Sequence, residues 1–216
     1  NEDYWDTEHV PAVARLELRI IPDDTTRLNA LKTGELTAAL IAQNQIAELD
    51  ADEQFEIALN TELQFVQLIQ NRSRARQDDL RIRQALVSAL DREAICEAVY
   101  LGYCEVSDQP FPPGYFAFNP DIDQVLYPHD PDRARQLLEE ADATDLQLDM
   151  IVGAGLTQFV QLAEIIQAQW ADFGVDLTVR QVDPAQSADI MFTQQAADSS
   201  LSGASGRPDP SQYLYG

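Results

Sequence analysis

Apolar residues recur along the chain with two spacings, and these spacings predict alternating strands and helices. Every second residue is apolar in RLELRII (Arg15–Ile21), which is the period of a half-buried strand, and the largely apolar LQFVQLI (Leu63–Ile69) is a second predicted strand. Spacing of three and four residues predicts helices, the longest over Leu156–Phe173. The alternation of the two periods predicts an α/β protein with helices packed on a sheet.

The first sixty residues are predicted to form a small α/β unit. Helical spacing covers Thr25–Lys32, and Gly34 follows as a stop signal. Short strands are predicted at Leu36–Ile41 and Phe55–Leu59, separated by a helix at Asn44–Leu49.

The rest of the chain predicts a larger unit with β-α-β order. The stretch LRIRQALVSALDREAI (Leu80–Ile95) predicts two helices, the second capped by Asp91 and ending near Tyr100. Its Arg81 and Arg83 are interpreted mainly as surface residues that specify the fold, with a ligand role as the alternative. Further elements are a capped helix at His129–Ala141, strands at Leu146–Val152 and Val175–Val182 around the long helix, a helix over 184–197, and turn-rich sequence from Leu201.

A long loop, Gly102–Tyr127, carries prolines and many aromatic residues. Loops of this length without regular structure are often functional. The aromatic residues either pin the loop to its own domain or line a site for an apolar ligand, and composition does not separate these.

Acidic residues outnumber basic ones by 37 to 14, which gives a formal charge of -23. Such a surface repels phosphates and anionic lipid, so nucleic acid and membrane surfaces are not expected as partners. The acidity is interpreted as a solvated surface, with attraction of a cationic ligand as the alternative. No apolar run approaches the roughly 20 residues that span a bilayer, and export is neither indicated nor excluded.

Motifs for catalysis, nucleotides and metals are weak or missing in the sequence. His9 and His129, the only histidines, lie in polar or capping contexts, and no phosphate-binding glycine loop occurs. Asp121 and Asp123 of NPDIDQ could offer oxygens to calcium, but the glycine and glutamate of a calcium loop are missing, so a solvated loop is expected. We therefore expect no cofactor, no metal and no catalysis.

Cys96 and Cys104 are the only cysteines, eight positions apart. Without a nearby histidine they cannot complete a zinc site. They form either a local disulfide in an oxidising compartment or two buried free thiols.

Seven segments follow one another along the chain in an order that is informative: NEDYW, ALKTGELT, LRIRQALVSALDREAI, QPFPPG, DPDRARQLLEEA, FGVDLTVRQVD and SGRPDPSQYLY. In this order they resemble segments of the family 5 extracellular solute-binding proteins, the dipeptide, oligopeptide and nickel receptors of ABC importers. The most specific is LRIRQALVSALDREAI, which is similar to the family's V-R-x-A-L-x-x-A-I-D-R-x-x-I.

The resemblance implies a periplasmic-binding-protein-like type II α/β fold, in which two lobes joined by crossing strands close on a ligand. Residues 1–62 would be part of the first lobe, 63–200 the second lobe, and 201–216 the return crossing and the start of the first-lobe tail. It further implies a monomeric, extracytoplasmic receptor, periplasmic or a cell-surface lipoprotein, that delivers its ligand to an ABC permease. Family chains are longer, so the sequence is expected to be a fragment whose isolated lobe binds ligand weakly.

The same resemblance places ligand contacts on the return crossing, at Ser202, Ala204, Ser205, Arg207 and Asp209. Peptide-binding members carry Gly-Trp there and then an Asp for the ligand's amino group, whereas this chain has Ala204 after Gly203, and Arg207 in place of the Asp. Arg207 is expected to meet an anionic or polyhydroxyl group, or else to pair with Asp209 in the hinge. A shift of one or two residues in the alignment would give Asp209 the amine-binding role.

The ligand itself stays open between short peptides, sugars with acidic groups, opines and metal chelates. Two other functions are kept as alternatives. One is a sensory module fused to a regulator, which would differ in its flanking sequence. The other is an acid-type hydrolase with paired carboxylates, which neither histidine nor thiol supports.

Overall fold

A computed structural model describes residues 5–6, 12–50, 52–58, 64–109, 111, 115–122, 125–205 and 209. The chain divides into two compact units, residues 1–57 and residues 58–216. The lobe boundaries at residues 62 and 200 stay predictions.

The first unit contains the two predicted helices. Helix α1 (Asp24–Lys32) begins after Asp23, whose carboxylate accepts the backbone N–H of Thr26 at 2.7 Å. A 3₁₀ turn at Gln43–Gln45 leads into α2 (Ile46–Asp50). The buried residues of these helices are Leu28, Ala30, Ile46 and Leu49.

The three strands predicted for this unit are wrong over the described residues. Arg15–Ile21, Leu36–Ile41 and Phe55–Ala58 have no regular secondary structure, and Leu59 lies outside the described residues. Alternating sequence becomes a strand only where a neighbouring strand completes the hydrogen-bond ladder, and the described part of this unit offers none. Leu18 and Ile20 are accordingly 83% and 94% exposed.

The second unit is built on a four-stranded mixed sheet, in the order β1-β4-β2-β3. Its strands are β1 (Gln64–Gln70), β2 (Gln147–Gly153), β3 (Asp176–Val182) and β4 (Ser199–Ser205). β1 runs antiparallel to β4, whereas β2 is parallel to both β4 and β3. From Leu201 onwards, β4 lies in sequence that was predicted to be turn-rich. That prediction is wrong as far as Ser205, because β1 supplies hydrogen-bond partners along the whole length of β4.

Helices flank the sheet on both faces. They are α3 (Leu80–Ser88), α4 (Arg92–Tyr100), α5 (Pro131–Glu140), α6 (Thr157–Ala171) and α7 (Pro184–Ala188), the last followed by a π-helical turn at Asp189–Thr193. The helix predicted over 184–197 thus ends at Thr193. Gln195, with a φ of 51°, has the left-handed backbone that ends such a segment.

Aspartates begin four of these helices, which explains part of the chain's acidity. Each carboxylate accepts a backbone N–H of the first turn, as an N-cap does. The caps are Asp79 of α3, Asp91 of α4, Asp130 of α5 and Asp183 of α7. The prediction that Asp91 caps a helix is therefore confirmed.

The main core lies between the sheet and helices α3, α5 and α6. Trp170 and Ala163 of α6, Leu137 of α5 and Ile82 of α3 pack in one cluster with Met150 of β2. A smaller cluster covers the other face, formed by Ile151, Met191 and Ala197. Both faces of the sheet are therefore covered by apolar clusters, and a binding site is expected at the ends of the strands.

Candidate functional site

Ser202, Ala204 and Ser205, three of the ligand residues predicted on the return crossing, lie along β4, opposite β1. Gln67 of β1 donates its side-chain N–H to the hydroxyl of Ser202 at 3.1 Å. Ala204 lies opposite Phe65, and the backbone of Ser205 is paired with that of Gln64. Three of the five predicted residues thus share one strand.

The other two predicted residues are less well placed by the structure. Asp209 is described and exposed, whereas Arg207 lies outside the described residues. The predicted roles of both in ligand binding therefore stay predictions.

The carboxyl ends of β2 and β4 point to the same edge of the sheet, where open parallel sheets place their ligands. β2 ends at Gly153, and the exposed residues Ala154–Leu156 lead into α6. A Cβ on Gly153 would lie 2.7 Å from Cδ1 of Leu156, so the loop folds tightly over this glycine. The same edge is reached by β4, because a Cβ on Gly203 would lie 3.4 Å from the ring of Phe159 in α6.

The chemistry of this edge suits binding. Its described side chains include small and apolar ones, such as Ala154, Leu156 and Phe159, and the hydroxyl of Ser202 adds a polar contact. His129 lies elsewhere, beside the cap of α5, and the described part of this edge holds no histidine or thiol. The edge can therefore contact a small molecule, but in its described part offers no nucleophile paired with a base.

At the opposite end of β4, four charged residues form a network that the sequence did not predict. The carboxylate of Asp198 accepts from Arg74 Nε at 2.8 Å and from the backbone N–H of Asp149 at 2.9 Å. Arg180 donates to the Asp149 carboxylate at 2.5 Å. The hydrogen bond and charge of Asp198 raise the pKa of Arg74. One signal was available, since Asp149 is the only charged residue within the apolar run of β2.

The arginines of Leu80–Ile95 hold backbone carbonyls of neighbouring segments. Arg81 donates to the carbonyl of Glu140 at the end of α5 at 2.6 Å. Arg83 donates to the carbonyl of Gln77, before α3, at 2.7 Å. These contacts support the interpretation that this cluster specifies the fold.

The long loop Gly102–Tyr127 is tied down near both of its ends. Cys96 and Cys104 are joined in a disulfide, which attaches the start of the loop to α4. Asp108 accepts from Arg92 at 2.5 Å and from the backbone N–H of Tyr127 at 3.0 Å. Burial raises the pKa of Asp108, but the hydrogen bonds and charge of Arg92 and the backbone donors outweigh it, so the net pKa is lowered.

The aromatic residues of this loop are in two environments. Phe111 is buried and stacks on Tyr115 with ring centroids 5.2 Å apart, which fits the interpretation that they pin the loop. Phe116, by contrast, is 73% exposed.

Of the two aspartates of NPDIDQ that could offer oxygens to calcium, the structure describes Asp121. Asp121 is bonded through its backbone N–H to the side chain of Asn119, and Asp123 lies outside the described residues. In the part of the chain that the structure describes, no group of three or more histidine, cysteine or acidic side chains could hold a metal ion. Nor does any described helix have the length and apolar character needed to cross a bilayer.

The fold matches solved structures of periplasmic binding proteins. NikA from Brucella suis in complex with Fe(III)-EDTA superposes with a TM-score of 0.79 at 22% identity, over 91% of this chain and 43% of that one. HbpA2 from Haemophilus parasuis gives a TM-score of 0.79 at 28% identity, over 100% of this chain and 43% of that one. The sheet and its flanking helices thus define the type II periplasmic binding protein fold.

Sequence comparison carries the assignment further. Heme-binding protein A of Haemophilus influenzae is 33% identical over 181 residues, 81% of this chain and 32% of that protein. The dipeptide-binding protein of Escherichia coli is 29% identical, over 82% of this chain and 34% of that protein. A sequence model of the middle region of the bacterial extracellular solute-binding proteins, family 5, matches residues 1–216.

The chain therefore belongs to the family 5 bacterial extracellular solute-binding proteins, as its motifs predicted. Members of this family are binding proteins rather than enzymes. The chain spans about a third of the length of the relatives compared above.

Proposed function

We propose that these residues are part of the substrate-binding component of an ABC importer, which captures a small polar solute and delivers it to a membrane permease. The family match over residues 1–216 carries this proposal. The nickel-binding periplasmic protein of Escherichia coli, 27% identical over 83% of this chain and 37% of that protein, supports it. The full-length protein would then act outside the cytoplasm, in the periplasm or as a cell-surface lipoprotein, and as a monomer.

The proposed ligand contacts lie at the edge of the sheet where the strands β2 and β4 end. Ser202, Ala204 and Ser205 belong to β4, and Arg207 and Asp209 follow them in the sequence. Arg207 would bind an anionic or polyhydroxyl group, because a guanidinium forks onto a carboxylate with two hydrogen bonds. Asp209 would instead hold a free amino group. Which of the two acts decides between an acidic or sugar-like solute and a short peptide.

Native mass spectrometry of the full-length protein as purified tests the proposal, because closed binding proteins often retain their solute. A heterogeneous set of short peptides would assign the amine contact to Asp209, and one discrete acidic compound would assign the contact to Arg207. Arg207→Ala should then abolish retention of the acidic compound, while Arg133→Ala, which removes an exposed arginine of α5, should not. Absence of any retained compound, together with no binding of short peptides by calorimetry, would contradict the proposed function.

A further inference from the structure

Asp198 lies directly before β4, and its largely buried carboxylate makes two hydrogen bonds to other segments. One oxygen accepts from Arg74 Nε, in the loop after β1, at 2.8 Å. The other accepts from the backbone N–H of Asp149 in β2 at 2.9 Å. The carboxylate therefore joins three segments of the chain at one point.

The backbone of Asp198 makes the same connections. Its N–H donates to the carbonyl of Asp149 at 3.1 Å, and its carbonyl accepts from the N–H of Asn71 at 2.9 Å. Asn71 follows the last residue of β1, and its side chain also donates to the carbonyl of Ala197 at 3.1 Å. The end of β1 and the beginning of β4 are thus held against β2.

Support from β2 stops within two residues of this point. β4 pairs with β2 only at Ser199 and Ser200, whereas it pairs with β1 along its whole length. From Leu201 to Ser205, β4 and the facing residues of β1 form a two-stranded ribbon in the hydrogen-bonding sense. Two-stranded ribbons have little stability of their own and twist more readily than wider sheets.

We propose that Asp198 is a positioning residue that fixes the end of this ribbon at Ser199 and Ser200, here called the ribbon root. Opening and closing of the receptor then bends the ribbon beyond Ser200 and leaves the rest of the sheet unchanged. This inference rests on the proposed function, since it takes the β1–β4 pair as the connection between the lobes. It assigns a role to an end of the strands that is remote from the proposed ligand contacts.

The test compares Asp198→Asn with Asp130→Ala in the full-length protein after removal of bound compounds by unfolding and refolding. Asp198→Asn removes the negative charge of the side chain that bonds to Arg74 and to the N–H of Asp149. Asp130→Ala weakens the same unit by removing the cap of α5, whose carboxylate bonds to the backbone N–H of Arg133 within that helix. Hydrogen exchange of individual amides reports the ribbon, and small-angle X-ray scattering reports the distribution of distances between the lobes.

With Asp198→Asn, amides of Gln64–Gln70 and Ser199–Ser205 should exchange about tenfold faster, as expected for loss of a charged hydrogen bond, and the distance distribution should broaden. With Asp130→Ala, faster exchange should be confined to α5, and the distribution should stay unchanged. Unchanged ribbon exchange in Asp198→Asn, or faster exchange without any broadening, would overturn the proposal.

A second variant keeps the test decisive if Asp198→Asn does not fold. Arg74→Gln removes the same ion pair from a residue whose side chain is 41% exposed, and should give a smaller effect in the same direction. A wild-type distribution in this folded variant would overturn the proposal as well. Neither readout needs a ligand, so failure here is separate from failure of the mass spectrometry that tests the proposed function.

Discussion

Trp170 of α6 donates its indole N–H to the carbonyl oxygen of Leu86 in α3, at 2.9 Å and fully buried. The backbone N–H groups of Ala89 and Leu90 donate to the carbonyls of Ala85 and Val87. The carbonyl of Leu86, which lies between these two in the sequence, accepts from the indole instead. One side chain therefore fills the core and completes the end of a neighbouring helix.

Trp170→Phe should reduce the free energy of unfolding by about 1–3 kcal/mol, because it removes the donor from a buried carbonyl. Urea unfolding followed by far-ultraviolet circular dichroism measures this change. Trp5→Phe is the control, since Trp5 is 82% exposed and its replacement should change stability by less than about 0.5 kcal/mol. Equal effects of the two replacements would show that the buried hydrogen bond contributes nothing.

The elements predicted correctly are those whose signals are local. Apolar spacing in Leu80–Ile95 together with the cap at Asp91 located two helices, because an N-cap bonds within its own first turn. Arg15–Ile21 alternates more clearly than β1, yet only β1 is a strand. The difference lies in the partner, since β1 has β4 beside it, and pairing between distant segments is not written in either segment alone.

Gly174→Ala should destabilise the protein by more than Gly155→Ala, although both glycines have a left-handed backbone, with φ of 77° and 79°. A Cβ on Gly174 would lie 2.3 Å from the carbonyl oxygen of Thr144, whereas a Cβ on Gly155 would meet nothing within 4 Å. Gly155→Ala should therefore cost only the backbone strain, about 1–2 kcal/mol. Thermal unfolding of both variants gives the comparison, and equal losses would contradict the predicted clash.

Asp130→Ala should lower the free energy of unfolding by about 1 kcal/mol, because the N–H of Arg133 loses the cap that it bonds at 2.9 Å. Glu139→Ala is the control on the same helix, since Glu139 is exposed and does not cap α5. Chemical unfolding of both variants measures the difference. A loss with Glu139→Ala as large as that with Asp130→Ala would mean that the cap is not the cause.

The candidate site was only partly predictable, for a related reason. The resemblance placed Ser202 and Ala204 on a crossing strand, and the structure puts both on β4. The partners of that strand were not visible in sequence. Gln67 and Asp198 each form a hydrogen bond with a residue more than 40 positions away in the chain. Only the pairing of β4 with β1 and with β2 brings these groups together.

The base of the long loop should depend on pH through Asp108. Its carboxylate is bound by Arg92 and by the N–H groups of Leu126 and Tyr127, so its folded pKa lies below the ordinary value of 3.8. A carboxyl whose pKa is lowered by folding contributes stability above its unfolded pKa, and this contribution is lost as pH falls through the folded pKa. The contribution should thus be complete near neutral pH and shrink below about pH 4.

Asp108→Asn should accordingly destabilise the protein at about pH 6 and have a smaller effect at about pH 3, which lies below the ordinary carboxyl pKa of 3.8, so that the contribution of the charge is already reduced. The measurements are urea unfolding and the rate of proteolysis within Gly102–Tyr127 at both pH values. Asp121→Asn, an exposed change in the same loop, is the control and should have little effect at either pH. A destabilisation by Asp108→Asn that is the same at both pH values would show that shape, and not the charge on Asp108, holds the base of the loop.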